Sequence, residues 1–216
     1  MPTLAGGYYV DGKRVPSVTT VLSRYKESGP LIHWAWNEGK EGRDYRESRD
    51  QAANAGTLAH DLVDRWARGE ENPQLPETTP PDIAAKARGA FEAFLEWSKQ
   101  TNLRIYRSEV ALVSNAHRFG GTLDAMLVND RLAIGDWKTS NAIYGDYLLQ
   151  LAAYAILWEE NNPDKPIVGG YHILRFSKEH GDFEHRFFRD VEAEKKHFLL
   201  LREAYGLDAE LKKRVR

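Results

Sequence analysis

The hydrophobic rhythm of the chain changes near residue 103. Before it, apolar residues recur at helical spacing; after it, they alternate or run continuously, as strands do. Tyr8 to Val15 predicts a small hairpin turning at Asp11-Gly12. Ser17, after Pro16, predicts the N-cap of a helix reaching about residue 23. Further helices are expected over 31–39 and 46–68. Residues 72–81 hold four of the nine prolines and predict a loop. A long helix should follow from residue 81 or 82 to 99, with Ala90, Phe91, Phe94, Leu95 and Trp97 on its apolar side. Strands are then expected over 104–113, 120–128 and 131–138, the last two joined by a tight turn at Asn129-Asp130. A helix over 143–161, strands over 167–176 and 183–189 meeting around Gly181, and a helix from 191 to about 205 or further complete the pattern. This order predicts an α/β fold, with a core of about five mixed strands flanked by helices. The expected organisation is one domain over 1–216: a mostly helical N-terminal part (1–103) packed on the sheet, an α/β core (104–205) and a basic tail (206–216).

Composition narrows the classes of function. The chain has 216 residues, 42% hydrophobic and 29% charged, which suits a globular core. No apolar run is long enough to span a bilayer. Met1 to Gly7 lacks the basic and apolar regions of a signal peptide, so a cytoplasmic setting without membrane contact is expected. There is no cysteine. Thiolate catalysis, disulfides and iron–sulfur clusters are therefore excluded. The formal net charge of -2 counts mildly against a nucleic-acid binder. It does not count against a protein whose acidic cluster is offset by bound cations. The dense basic run, Lys212 to Arg216, is open to two readings, a solvated end or a phosphate contact.

The chemistry concentrates in two strings, Gly121-Thr122-Leu123-Asp124 and Asp136-Trp137-Lys138. Side chains alternate along a strand, so Asp136 and Lys138 share a face. The hairpin lays Asp124 on the neighbouring strand. Two carboxylates and an ammonium thus converge, and carboxylates hold hard divalent cations through oxygen. Glu109 lies on the preceding strand. Gln150 and Tyr154 follow one helical turn apart. Upstream, Gly56-Thr57-Leu58-Ala59-His60 sits on a helix. Gly7 to Lys13 mimics the start of a phosphate-binding loop, but Arg14 stands where Ser or Thr is required. The segment reads as a hairpin, and ATP binding is rejected.

GTxxH, then Glu109, then GxxD, DxK and QxxxY resembles the RecB-like branch of the PD-(D/E)xK nucleases, the mitochondrial genome maintenance exonuclease and its phage relatives most of all. Val15 to Leu22 is similar to the N-terminal segment of that type. The resemblance implies a restriction-endonuclease-like core. It implies Asp124 and Asp136 as metal-binding carboxylates, with the Trp137 carbonyl as a further ligand and His60 reaching the metal from the helical side. Lys138 would orient or deprotonate the attacking water. Gln150, Tyr154 and Thr57 would contact the substrate strand, and Glu109 would be an outer or second-metal carboxylate. The cofactor is expected to be Mg²⁺ or Mn²⁺, one ion or two; a His ligand shifts preference toward Mn²⁺.

Blander readings stand beside these. His60 could be a core histidine bonded to a carbonyl. Trp137 is expected to pack in the core on the reverse face. Trp34 and Trp36 are candidates for stacking unpaired bases, with core packing as the alternative. Lys86, Arg88, Arg104 and Arg107 form either a solvated face or a path guiding the strand. His180 is expected in a turn. The function implied is a metal-dependent DNA exonuclease on single strands or ends, in replication, recombination or repair, in a phage or prokaryotic setting. Its partners would be DNA and a recombinase or single-strand-binding protein. The alternatives are a structure-specific or flap endonuclease or recombination-complex subunit, and a catalytically silent binding module.

Overall fold

The computed structural model describes residues 6–177 and 181–215. His180 and Arg216 lie outside the described residues, as does most of the Met1–Gly7 segment. The chain opens with a hairpin of β1 (Tyr8–Val10) and β2 (Lys13–Val15). Asp11 and Gly12 both take positive φ, 50° and 69°, as the tight turn requires. The segment that mimics a phosphate loop is thus a hairpin. Four helices follow: α1 (Val18–Tyr25), α2 (Gly29–Lys40), α3 (Tyr45–Ala67) and α4 (Pro81–Gln100). The Ser17 side chain caps α1 by accepting from the Thr20 amide at 3.0 Å. Glu38 ties α2 to the start of α3 by accepting from Arg43 at 2.7 Å and from the Ser48 hydroxyl at 2.7 Å.

Next come β3 (Arg104–Ser114), β4 (Phe119–Asn129), β5 (Arg131–Lys138), α5 (Gly145–Asn161), β6 (Tyr171–Phe176), β7 (Phe183–Phe188) and α6 (Glu192–Arg214). The sheet order is β3-β4-β5-β6-β7. Only the β5–β6 pair is parallel, and α5 makes its crossover. One layer packs Val18, Leu151, Tyr154, Leu157, Trp158 and Phe198 of α1, α5 and α6 against Leu123, Met126, Ile134 and Ile173 of the sheet. The other layer packs Leu62, Ala90, Phe94 and Trp97 of α3 and α4 against Ala125, Leu127, Trp137 and Phe176. The result is an α/β fold in three layers, a mixed five-stranded sheet between helices, as the periodicity predicts. Trp137 packs in the core, as expected.

Two boundaries move. Residues 167–170 do not begin β6. Val168 and Gly169 instead donate to the Leu132 carbonyl at 3.1 and 2.7 Å. A Cβ at Gly169 would lie 2.9 Å from the Arg131 and Leu132 oxygens, so the chain hugs β5 there as a turn. At the other end, α6 continues through Arg214, so most of the expected basic tail is helix. Lys212, Lys213 and Arg214 occupy its last turn, where cations offset the helix dipole.

Phe94 organises the second layer, with edge contacts to Trp66, Trp137 and Phe176 at 5.2, 5.9 and 5.5 Å. Phe94→Ala should destabilise the fold by about 3–5 kcal/mol, through lost burial and the cavity left behind. Chemical denaturation measures this directly, and a loss below about 1 kcal/mol would show that α4 is not anchored there.

Candidate active site

The site forms where the sheet splits. The β4–β5 ladder runs from Asn129↔Arg131 to Ala125↔Gly135 and stops. β5 continues alongside β6 as far as Lys138↔Arg175. Asp124 and Asp136 are the next residues on the two separating strands. The Trp137 amide, left without a strand partner on β4, donates to Asp124 Oδ2 at 2.8 Å. The residues of β4 also change face here. Leu123 packs with the α5 layer and Ala125 with the α4 layer, although a regular strand would put both on one side. On β3, Glu109 lies between the pairs Ser108↔Ala125 and Val110↔Leu123, opposite Asp124. Its φ is +49°, a costly conformation for a residue with a Cβ.

His60 arrives from α3. One turn earlier, Gly56 lets the helix approach the end of β5: a Cβ there would fall 2.8 Å from Thr139 Oγ1. His60 Nδ1 lies 3.9 Å from Asp124 Oδ1. One ligand atom from each of His60, Glu109 and Asp124 lies within 4.8 Å of the others. Asp136 stands outside this trio and pairs with Lys138, and both are buried. Lys138 Nζ also sits 4.9 Å from the Tyr147 ring centroid.

The electrostatics are those of excess negative charge in a dry place. Burial, with Asp124 and Asp64 nearby, pushes the Glu109 carboxyl up to about 8. Burial also raises Asp124 and Asp136, although Lys138 offsets part of this in each. Burial alone would lower Lys138; Asp136 and Asp124 outweigh it and hold the ammonium charged. Glu109 Oε2 and Asp124 Oδ1 are buried and accept no hydrogen bond from the described residues. Two carboxylates and an imidazole with open oxygens fit a divalent cation.

A cleft of about 330 Å³ opens onto the site between α3, the end of β5 and the start of α5. Thr57, His60, Lys138 and Tyr147 line it. The Thr57 hydroxyl itself donates back to the Ala53 carbonyl at 3.1 Å. Gln150 Nε2 donates to the Tyr154 hydroxyl at 2.7 Å, and both side chains are buried. Tyr154 is 1% exposed, so no ring face is open for a base to stack on. Its position corrects the expectation that Tyr154 contacts the substrate strand directly. Burial, then Asp124 and Asp136, holds its hydroxyl protonated. Trp34 and Trp36 do not line the cleft. Trp34 packs edge-on against Tyr45 at 6.4 Å. Trp36 is 57% exposed, under the Lys40 ammonium at 4.4 Å. Tyr147 is absent from the sequence reading. Its signal is helical: 147, 150 and 154 fall on one face of α5.

The sequence profile of the PD-(D/E)XK nuclease superfamily matches residues 8–213. The chain belongs to the PD-(D/E)XK nuclease superfamily. Nucleases of this superfamily use divalent metal ions. No curated relative matches the sequence. Among solved structures, a Eubacterium rectale protein named "Putative exonuclease" is 13% identical, with a TM-score of 0.46, covering 69% of this chain and 64% of its own. This chain therefore spans less than two thirds of that protein's length. A protein named SSO0001 is 14% identical, with a TM-score of 0.34, covering 70% of this chain and 72% of its own. No helix among the described residues of this PD-(D/E)XK nuclease is long and apolar enough to cross a membrane.

The raised carboxyls give a signed expectation. A carboxylic acid whose folded pKa lies above its unfolded value stabilises the fold when protonated. For Glu109 that stability is present at low pH and is lost as pH rises from about 4.5 through about 8. A divalent ion replaces the missing protons and competes with them. Saturating Mn²⁺ should therefore raise the melting temperature more at pH 8.5 than at pH 6, by on the order of 5 °C at the higher pH. Differential scanning calorimetry reads this; an equal shift at both pH values would mean the ion binds elsewhere.

Proposed function

We propose that this chain is a metal-dependent DNA exonuclease of the RecB-like kind, acting on single strands or free ends in replication, recombination or repair. The observation that carries this reading is the trio of half-buried His60 and Glu109 with buried Asp124, beside the buried Asp136–Lys138 pair, with a cleft opening onto His60 and Lys138. Carboxylates set back from the surface favour a flexible end, which can bend to reach them, over a stiff duplex or a closed loop. Helix α3 lines the cleft where a strand would enter.

The roles follow from the geometry. His60, Glu109 and Asp124 hold an Mg²⁺ or Mn²⁺ ion, with Asp136 and the Trp137 carbonyl as further ligands. When bound, the ion supplies charge neutralisation at the phosphate and makes water more acidic. Asp136 holds Lys138 in place, and the ammonium orients the attacking water and offsets charge building on the phosphorus oxygens. Gln150 and Tyr154 support the carboxylates from α5. Trp36, exposed on α2, offers a ring to an unpaired base. A recombinase or single-strand-binding protein suits this activity as a partner.

Asp124→Asn, Asp136→Asn and Lys138→Ala should each cut cleavage at least about 100-fold with the fold retained. The two aspartate variants should also lose metal affinity, whereas Lys138→Ala should keep it, since a charged ammonium has no lone pair. One gel tests the substrate class: linear single-stranded DNA should be degraded with Mg²⁺ or Mn²⁺, and a closed single-stranded circle should survive. Rapid nicking of the circle would replace the exonuclease reading with an endonuclease on branched or flapped DNA.

His60→Ala should cost more activity in Mg²⁺ than in excess Mn²⁺, because the tighter-binding ion compensates for a lost ligand. Full activity in both ions would return His60 to a packing role.

A further inference from the structure

A second opening meets the metal cluster at Glu109, and its lining shares no residue with the entrance cleft. A cleft of about 350 Å³ has Glu109 at one end, with Arg68, Tyr106 and Arg107 along its walls. It abuts a larger cavity of about 860 Å³, both being lined by Ala67 and Ile105. Trp66, Phe94 and Trp97 line the cavity, and Asn102, Arg104 and Asn129 bring polar groups to it. Glu109 belongs to the donor trio with His60 and Asp124, so the smaller cleft touches the metal cluster.

An irregularity in β3 sets the charges along this path. In a regular strand, residues three apart face opposite sides. Here Ile105 pairs with Leu127 and Arg107 with Met126, so Tyr106 is an extra residue. Arg104 pairs with Val128, two residues from Met126 on β4. The bulge thereby puts Arg104 and Arg107 on one side of β3, a re-aiming that such insertions produce. Glu109, two residues on and opposite Asp124, breaks the alternation with its positive φ and joins His60 of α3. No acidic side chain among the described residues pairs with Arg104 or Arg107, while Arg107 lies over the Tyr106 ring at 5.5 Å. Tyr106 is 48% exposed. Nearby acids are accounted for in part: Asp64 is held by Arg68 at 2.8 Å and by the Ser108 hydroxyl, and Asp130 lies at the cavity's far rim.

Resting on the nuclease reading, we infer that this groove along β3 is a track for one nucleic-acid strand running past the metal cluster. Arg104 and Arg107 contact its phosphates, and the exposed Tyr106 ring stacks on its bases. Cations beside an exposed aromatic ring suit single strands, whose bases are free to stack. A duplex offers no such bases. The four basic residues singled out from sequence thus divide: Arg104 and Arg107 line the track, and Lys86 and Arg88 line neither opening.

The test is binding without cleavage. Full-length protein and a fluorescein-labelled 20-nucleotide oligothymidylate are mixed in EDTA, and anisotropy is followed as salt rises. Arg104→Ala/Arg107→Ala should weaken binding at least tenfold. The slope of log affinity against log salt should become shallower by about 1.4, for two lost phosphate contacts. Tyr106→Ala should weaken binding about fivefold with the slope retained. Lys86→Ala/Arg88→Ala, an equal loss of charge, should match wild type in both, and thermal melts check that each variant is folded. Wild-type affinity and slope in the folded Arg104→Ala/Arg107→Ala protein would overturn the track, as would equal losses in the Lys86→Ala/Arg88→Ala protein. Cleavage is scored separately. Wild-type protein that shows the predicted binding pattern but cuts no DNA in Mg²⁺ or Mn²⁺ would sink the nuclease reading and leave the track standing.

Discussion

Carboxylates shut away from water with too few cations are the constraint on which the rest depends. Asp124 and Asp136 are buried, Glu109 stands close to Asp124, and Lys138 is the one side-chain ammonium among the described residues sealed with them. Burying an ionised carboxylate without compensation is costly, so the site must take up protons or a cation. The fold tolerates this imbalance because two large apolar layers hold the sheet rigid on either side. A site with balanced charges would be more stable and would have less to offer a metal.

The charge could not gather in a regular sheet. Complete ladders would satisfy every backbone group and alternate the side chains evenly. Instead β4 and β5 part beyond Ala125↔Gly135, and the freed Trp137 amide is taken by the Asp124 carboxylate. Glu109 adopts a left-handed conformation at the same level of β3, and an extra residue at Tyr106 lies a few positions before it. Strain and broken pairing therefore cluster where the chemistry is, a familiar cost of assembling reactive groups. The helices answer the same need. Gly56 removes a side chain so that α3 can bring His60 within reach of β5 and Asp124.

Membership in the PD-(D/E)XK nuclease superfamily accounts for the shared core, and the donor trio fits the divalent ions that nucleases of this superfamily use. It leaves open how this chain treats a strand on either side of the metal. The entrance cleft, with Thr57, Lys138 and Tyr147, and the β3 groove, with Arg104 and Arg107, are particular to these side chains. On the proposed reading one is an approach and the other a continuation, and they touch the donor trio through His60 and Glu109 respectively.

Much of this was legible in the sequence because it depends on local rules. Alternation along 131–138 put Asp136 and Lys138 on one face. Asn129-Asp130 announced the turn that brings Asp124 beside them, and Ser17 announced its helix by the oxygen it offers to Thr20. The order of helices and strands gave the layers, because each element must bury one apolar side. Other features depend on residues far apart in the chain, and only the folded structure decided them. Periodicity could not show that β4 and β5 separate at the carboxylates, since the last rung of a ladder depends on β6 drawing β5 away. Nor could it show that Glu109 joins His60 and Asp124 while Asp136 turns to Lys138, or that Tyr154 is sealed behind the site and not open to a base. The bulge at Tyr106 left no mark in composition, yet it decides which side of the sheet two arginines share. Local periodicity determines what a residue can face; the meeting of distant strands and helices determines what it does face.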